Sequence, residues 1–164
     1  MKSHPDRVKL EELFPYIRKY QALASEHGIN DIFQDNGGKY LQLFLVTGLI
    51  VVEGREGNDG EDEDGNEYEL KTVNVSLTSS FSTHHHLNPV ILKKYRKASW
   101  VFAVYESIEL REIYSMNPDQ LEPYFQRWED KWNLTKKDIN NPKIPVNFVR
   151  KFGKKLFPGL LGSL

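Results

Sequence analysis

Asp59, Glu69 and Lys71 are the residues of this chain whose types and spacing could do hydrolytic chemistry. Glu69 and Lys71 lie in "EYELK", a segment with the pattern of a strand. Side chains two apart on a strand share a face, so these two stand side by side, roughly 6.5–7 Å apart. Val73 and Val75 continue that face, while Tyr68, Leu70 and Thr72 take the other. Asp59 lies about one hairpin upstream. Two carboxylates and a backbone carbonyl, here that of Leu70, can hold Mg2+, a hard ion that prefers oxygen and keeps several waters. Such an ion acidifies a bound water and neutralises charge on a phosphate oxygen. A lysine alongside adds positive charge where a pentavalent phosphorane would develop. A proton-shuttling lysine is a second role open to it. The plain alternative is a surface Glu–Lys pair on a strand, and neighbouring Glu67 suits it.

The acids sit in a charge-separated chain. Glu53 to Glu69 holds nine acidic residues against one arginine, and Lys131 to Lys155 holds eight basic residues against one aspartate. Lys93, Lys94, Arg96 and Lys97 form a third, basic cluster. The net charge of −1 hides this separation, which suits a protein that grips a polyanion with one region and cations with another. Solvated charged faces would look the same. A calcium loop does not fit. With Gly65 as the sixth loop position, Gly60 would be the first and Lys71 the twelfth, where an EF-hand needs acidic ligands. A mobile loop over Gly60 to Asn66 is expected instead.

A second set of polar residues lies in "FSTHHHLNP". Adjacent histidines His84, His85 and His86 are poorly spaced for zinc, which favours wider gaps such as H-x3–5-H. Ser82, His84, His85 and His86 could instead hydrogen-bond to base edges in a DNA major groove. They lead into a helix that carries the lysine cluster. Asn140 and Asn141 add amides in the basic loop "DINNPKIP", beside Lys143, and asparagine can pair bidentately with adenine. A simple turn at Asn140-Asn141-Pro142 is the alternative.

These residues must be positioned by a mixed α/β (α+β) domain, a central mixed sheet flanked by helices. The 164 residues, 39% apolar and 27% charged, fit one domain with a sizeable core. Ser3 or His4 should cap a first helix with Pro5 in its first turn, Leu10, Leu13, Phe14, Ile17 and Ala24 following at helical spacing. Pro15 should kink it and Gly28 stop it. "DNGG" is a turn. Lys39 to Thr47 is a buried helix. Tyr68 to Leu77, Ser99 to Tyr105 and Ile108 to Tyr114 are strands, the last two a hairpin through Glu106 and Ser107. Asn88 and Pro89 start a short helix ending near Lys97. Asn117 caps another over Pro118 to Trp132, with Gln120 completing a capping box. Val146 to Leu156 is a short helix or strand. There is no cysteine, hence no disulfide framework and no thiolate metal site. No run approaches the ~20 apolar residues of a membrane span. "MKSHPDRVK" lacks an apolar leader, so a cytoplasmic protein is expected and the sequons at Asn74 and Asn133 are chance matches.

Five blocks in order, "GINDIFQDNGGKYLQ", "EGREGND", "EYELK", "FSTHHHLNPVI" and "KDINNPKIPV", resemble the PvuII-type type II restriction endonucleases of the PD-(D/E)XK nuclease superfamily. The likeness runs from about Ser3 to Val149. It implies a homodimer that grips double-stranded DNA in a cleft and cuts the palindrome CAGCTG to blunt ends with Mg2+, Mn2+ being a possible substitute. By resemblance Asp59, Glu69 and Lys71 are the catalytic set. Glu56 supports metal binding, and Tyr95 lies near the metal and the scissile phosphate. His85 and His86 read the major groove, with Ser82, His84, Asn140, Asn141 and Lys143 close by, and Asp35 makes a minor-groove contact that links binding to catalysis. The resemblance further implies dimerisation through a helix at about 4–26, a catalytic sheet region at 30–115 and a DNA-contacting loop at 131–150. A bacterial cytoplasmic location and a companion DNA methyltransferase also follow. Two features depart from the pattern. Asn58 precedes Asp59 where the superfamily expects proline, although the PvuII type shares it, and Gly60 to Asp64 is unusually acidic. The tail beyond the likeness, "LFPGLLGSL", could pack on the dimer or fray.

Two other classes compete with the nuclease. A DNA-binding protein with an inactive nuclease fold would not need an intact Asp59–Glu69–Lys71 set. A protein that interacts through its acidic loop would leave the histidine and asparagine blocks without a purpose.

Overall fold

A computed structural model describes residues 4–52 and 59–158. It divides into two compact units, one ending at Thr47 and the other beginning at Gly48. In the first, helix α1 spans Arg7–Glu26 and helix α2 spans Gly37–Thr47. The cap of α1 is Asp6, not Ser3 or His4. The His4 carbonyl accepts from Arg7 N–H at 3.1 Å and its Nδ1 from Asp6 N–H at 3.2 Å. His4 to Arg7 is therefore a tight turn that turns helical only after Pro5, and Ser3 lies outside the described residues. α1 continues through Pro15 and stops as expected at Gly28, whose φ of 76° is the left-handed value that glycine adopts without strain. Gln21 then ties down the following loop. Its amide donates to the Ile29 and Asn30 carbonyls, and its Oε1 accepts from Ile32 N–H. Asp35 and Asn36 both take left-handed φ values, and Gly37 begins α2 where a Cβ would strike the Asp31 carbonyl. Along α1 only Ala24 is buried; Leu10, Leu13 and Phe14 are 54%, 58% and 39% exposed.

The second unit holds the sheet. Its strands are β1 (Ile50–Val51), β2 (Gly60–Glu61), β3 (Glu67–Asn74), β5 (Ser99–Glu106), β6 (Glu109–Met116) and β8 (Lys154–Pro158), in the spatial order β1-β2-β3-β5-β6-β8. Only β3 and β5 are parallel; the other pairings are antiparallel. A parallel pair needs a crossover. It is made by β4 (Ser80–Ser82) and helix α3 (Pro89–Tyr95), which starts at Asn88 with its side chain accepting from Val90 and Ile91 N–H. β5 is the central strand, and Trp100 through Tyr105 are all buried. β5 and β6 form the expected hairpin, but Glu106 still pairs, with Glu109, so the turn is Ser107-Ile108 and not Glu106-Ser107, Ser107 taking φ 57°. β3 ends three residues earlier than its alternation suggests. The Asn74 side chain accepts from Ser76 and Ser107 N–H, which bends the chain out of the sheet.

After β6, helix α4 (Pro118–Thr135) begins with Gln120 Oε1 accepting from Asn117 N–H at 2.8 Å. Strand β7 (Lys143–Pro145) pairs with β4 in a separate two-stranded sheet. The closing segment is both helix and strand: α5 (Val146–Phe152) and then β8, separated at Gly153. A Cβ at Gly153 would lie 2.7 Å from the Val149 carbonyl and 3.2 Å from Tyr114 Cβ, so glycine lets the chain turn there against β6. The core joins the sheet to α3, α4 and α5 through aromatic contacts. Tyr95 meets Trp100 edge-on at 4.6 Å, Phe81 meets Phe102 at 4.9 Å, and Trp100 lies 5.8 Å from Phe125.

α5 is also tied to β6 by polar contacts. Arg150 Nε donates to Glu112 Oε2 at 2.9 Å and the Tyr114 hydroxyl donates to the same oxygen at 3.0 Å. Burial pulls the Glu112 carboxyl upward, but these hydrogen bonds outweigh it and hold it below its ordinary range. A depressed folded value gives stability that is present above the unfolded pKa, about 4.3, and is lost as pH falls through the folded value. Glu112→Gln is therefore expected to lower the melting temperature at pH 7, by the equivalent of about 0.5–1 kcal/mol. The difference should vanish near pH 3. Equal losses at both pH values would contradict it.

Candidate active site and recognition surface

The acidic stretch after Asp59 folds as a closed turn and not as the expected mobile loop. Asp62 is its keystone. Its Oδ1 accepts from Asp64 and Asn66 N–H, its Oδ2 accepts from the Tyr68 hydroxyl at 3.0 Å, and Asn66 Nδ2 donates to both oxygens. The bond from the Asn66 side chain is the main reason the Asp62 carboxyl lies below its ordinary range. Gly65, at φ 78°, completes the turn. β2 and β3 thus pair in register, Gly60 opposite Tyr68 and Glu61 opposite Glu67. Beyond Gly60 a side chain takes over from the backbone ladder, and Leu70 N–H donates to Asp59 Oδ2 at 3.0 Å.

That hydrogen bond sets Asp59 beside the face of β3 that carries Glu69 and Lys71. The Lys71 ammonium pairs directly with Glu69 Oε1 and lies 3.8 Å from Asp59 Oδ2. Glu69 is the one buried charged residue among the described residues, 7% exposed. Burial pushes its carboxyl above the ordinary range. The Lys71 charge opposes this, the nearby Asp59 charge adds to it, and hydrogen bonds from Lys71 and Tyr95 oppose it again. The Tyr95 phenol, at the end of α3, is itself pushed upward, first by burial and then by the Glu69 and Asp59 charges. Lys71 Nζ also lies 5.8 Å from the Trp100 ring and 6.0 Å from that of Tyr95, within cation–π range. Trp100 stands opposite Glu69 across the β3–β5 pair and donates its indole N–H to the Tyr95 carbonyl at 3.1 Å.

Asp59 and Glu69 form an all-oxygen donor pair that one ammonium only partly neutralises. That chemistry fits a hard divalent cation that keeps several waters. Among the described residues no three His, Cys, Asp or Glu side chains converge as a fuller metal cluster. Glu56, expected as the acidic neighbour, lies outside the described residues.

The histidine and asparagine blocks, over 50 residues apart in sequence, meet at the β4–β7 pair. Ser82 stands opposite Lys143, whose Nζ donates to Ser82 Oγ at 2.6 Å. Asn141, at φ 47°, donates its backbone N–H to the His84 carbonyl, and its side-chain Oδ1 accepts from Thr83 N–H at 3.1 Å. Thr83 Oγ1 donates to the Pro142 carbonyl at 2.7 Å, and Leu87 and Ile139 bridge farther along. His85, His86 and Asn140 remain exposed, as bases would require. His84 differs. It is half-buried, its Nδ1 accepts from His86 N–H at 3.0 Å, and burial and then the Lys71 charge press its imidazole below the ordinary range. His84 thus lies within electrostatic reach of the carboxylate–lysine set.

The carboxylate–lysine set lies on the six-stranded sheet and the histidine and asparagine blocks on the two-stranded one, both within the second unit. A family model described as restriction endonuclease PvuII matches residues 5–157. The chain belongs to this family. The PvuII family consists of type II restriction endonucleases, so DNA is the substrate class and site-specific cleavage the activity. Among the described residues no helix is long and apolar enough to cross a membrane.

Within this PvuII-family fold, Asp59, Glu69, Lys71 and Tyr95 come together, and so do Ser82, His84, Asn141 and Lys143. Asp35 lies in the first unit, in the left-handed turn before α2. Two residues escaped the sequence reading and a third was grouped differently. Thr83 locks the two recognition segments, Trp100 backs Lys71 and Tyr95, and Arg96 does not stand free among the lysines as its sequence neighbours suggest. Its guanidinium is paired with Glu122 and Glu129 of α4. An arginine with a charged neighbourhood on both sides of the sequence gives no local sign of which it will meet.

Proposed function

We propose that this chain is a Mg2+-dependent restriction endonuclease that works as a homodimer and cuts CAGCTG to blunt ends, with Mn2+ able to substitute. The observation that carries the reading is the convergence of Asp59, Glu69 and Lys71 on one face of β3. Asp59, Glu69, the Leu70 carbonyl and, beside them, Glu56 would hold the ion, which when bound acidifies water and neutralises phosphate charge. Lys71 holds positive charge beside the scissile phosphate, where a developing phosphorane is most negative. Tyr95 keeps Glu69 oriented through its hydrogen bond. Water attacks phosphorus as one P–O ester bond breaks.

Sequence choice is assigned to Ser82, His84, His85, His86, Asn140, Asn141 and Lys143 in the major groove, with Asp35 in the minor groove. The basic segments supply backbone affinity, so binding weakens steeply with salt. The exposed Leu10, Leu13 and Phe14 on α1 suit a dimer contact, and a two-fold dimer matches a palindrome. A restriction enzyme in a bacterial cytoplasm also needs a partner methyltransferase to protect host DNA.

Digestion of a plasmid with one CAGCTG site, with Mg2+ and with EDTA, tests this. Blunt, metal-dependent linearisation at that site is expected. Cutting at other sites keeps the nuclease and overturns the base-reading assignments. Sequence-specific binding without cutting under any metal would favour the inactive-fold reading.

A further inference from the structure

Arg96 follows Tyr95 and belongs by sequence to the lysine-rich cluster of α3. In the structure it does different work. Its Nε donates to Glu122 Oε2 at 3.0 Å, and its Nη2 donates at 2.8 Å both to Glu122 Oε1 and to Glu129 Oε2. Glu122 and Glu129 are seven residues apart on α4, so both lie on the face of that helix turned to α3. The guanidinium carbon also lies 6.0 Å from the Phe125 ring between them. Arg96 is the residue that ends α3, its N–H donating to the Leu92 carbonyl at 3.0 Å while the next N–H, that of Lys97, donates to the Lys94 carbonyl. A planar guanidinium shared between two carboxylates fixes direction as well as charge, which a single lysine contact would not.

We propose that Arg96 is a positioning residue for cleavage, clamping the end of α3 to α4 so that the Tyr95 phenol stays on Glu69. The inference rests on the active-site reading of Tyr95. Tyr95 is held on its other sides by Trp100, through the indole hydrogen bond to its carbonyl and the edge-on ring contact, and by the Phe125 ring at 6.2 Å. The Arg96 clamp ties α3 to α4 by polar contacts of defined direction, whereas the Tyr95–Phe125 contact is one of aromatic rings. Misplacement of an active-site group by about 1 Å can lower a rate by about 100-fold. One guanidinium stands here against two carboxylates, a net negative cluster that disfavours a DNA phosphate.

The test compares Arg96→Ala, Arg96→Lys, Glu122→Gln/Glu129→Gln and Tyr95→Phe. It measures single-turnover cleavage of plasmid DNA with Mg2+, and duplex affinity against salt with Ca2+, each well below the variant's melting temperature. Arg96→Ala and the double glutamine variant are each expected to slow cleavage about tenfold or more, with duplex affinity and salt slope unchanged. Arg96→Lys should recover part of the rate. Adding Tyr95→Phe to Arg96→Ala should cause little further loss, because residues acting through one contact are not additive. A general loosening of the fold would instead give losses that multiply. The inference is overturned if Arg96→Ala weakens duplex binding and lowers the salt slope by about one, the mark of a phosphate contact. It is also overturned if Tyr95→Phe is slow while the Arg96 and glutamine variants cleave normally. Normal cleavage by Tyr95→Phe would instead remove Tyr95 from the active-site reading itself.

Discussion

Lys71→Ala should cut DNA at least about 100–1,000-fold more slowly than the parent chain while still binding its duplex, since removal of one transition-state charge donor has effects of that size. The residues proposed to read bases lie mainly on β4, β7 and their loops, so most of the proposed binding surface should survive loss of the lysine. A second effect should accompany the first. Glu69 is buried, and Lys71 is its direct ion-pair partner. Removing one member of a buried pair leaves the other uncompensated, at about 3–5 kcal/mol in typical cases. The variant should therefore melt lower than the parent without divalent ions, and Mg2+ should raise its melting temperature more than it raises the parent's. Single-turnover rates and melting curves with and without Mg2+ measure both effects. Parent-like cleavage by Lys71→Ala would remove the lysine from the chemistry. A Mg2+-independent melting temperature in both proteins would argue against the carboxylate pair as a cation site.

Asn141 should show a different double effect. Its Oδ1 accepts from Thr83 N–H, and its φ of 47° is a value that asparagine adopts more readily than alanine. Asn141→Ala should lose about 2 kcal/mol, from the stranded N–H and the left-handed backbone together. That corresponds to roughly a 5 °C drop in melting temperature for a chain of this size. Specific binding should fall about 10–100-fold, as expected for the loss of one good base contact. Asn141→Asp separates the two effects. The aspartate keeps the acceptor and tolerates the left-handed backbone, so the melting temperature should return almost to that of the parent. It has no amide donor and carries a negative charge, so DNA binding should stay weak. If Asn141→Asp melted as low as Asn141→Ala, the lock to Thr83 would not be what holds the loops together.

These consequences show which parts of the molecule the sequence exposes. The capping residues of α3 and α4, the β5–β6 hairpin and the shared face of Glu69 and Lys71 all follow from patterns a few residues long, and the structure bears them out. The start of α1 does not follow, because Pro5 permits either a helical first turn or the tight turn the chain forms. The fate of Gly60 to Asn66 was hidden because its composition looks disordered while Asp62 can satisfy four donors at once. Arg96 and the Thr83–Asn141 lock depend on partners 26 to 58 residues away, and no local period reports such distances. Much of the candidate active site is therefore local and legible. The candidate recognition surface is assembled by long-range pairing, so only its residue types could be read in advance.

That pairing also sets an order of events during synthesis. β4 has no partner until β7 exists, about 60 residues later, and closing a loop of that length carries an entropic penalty that only the finished pair offsets. The strand bearing Glu69 and Lys71, by contrast, can join its β2 hairpin as soon as it is made. A nascent chain therefore makes the strand with Glu69 and Lys71 and its β2 partner well before the β4–β7 pair can form. The pairing to which target choice is assigned waits until Lys143 to Pro145 leave the ribosome, and a chain truncated before that point would have no β7 to pair with β4.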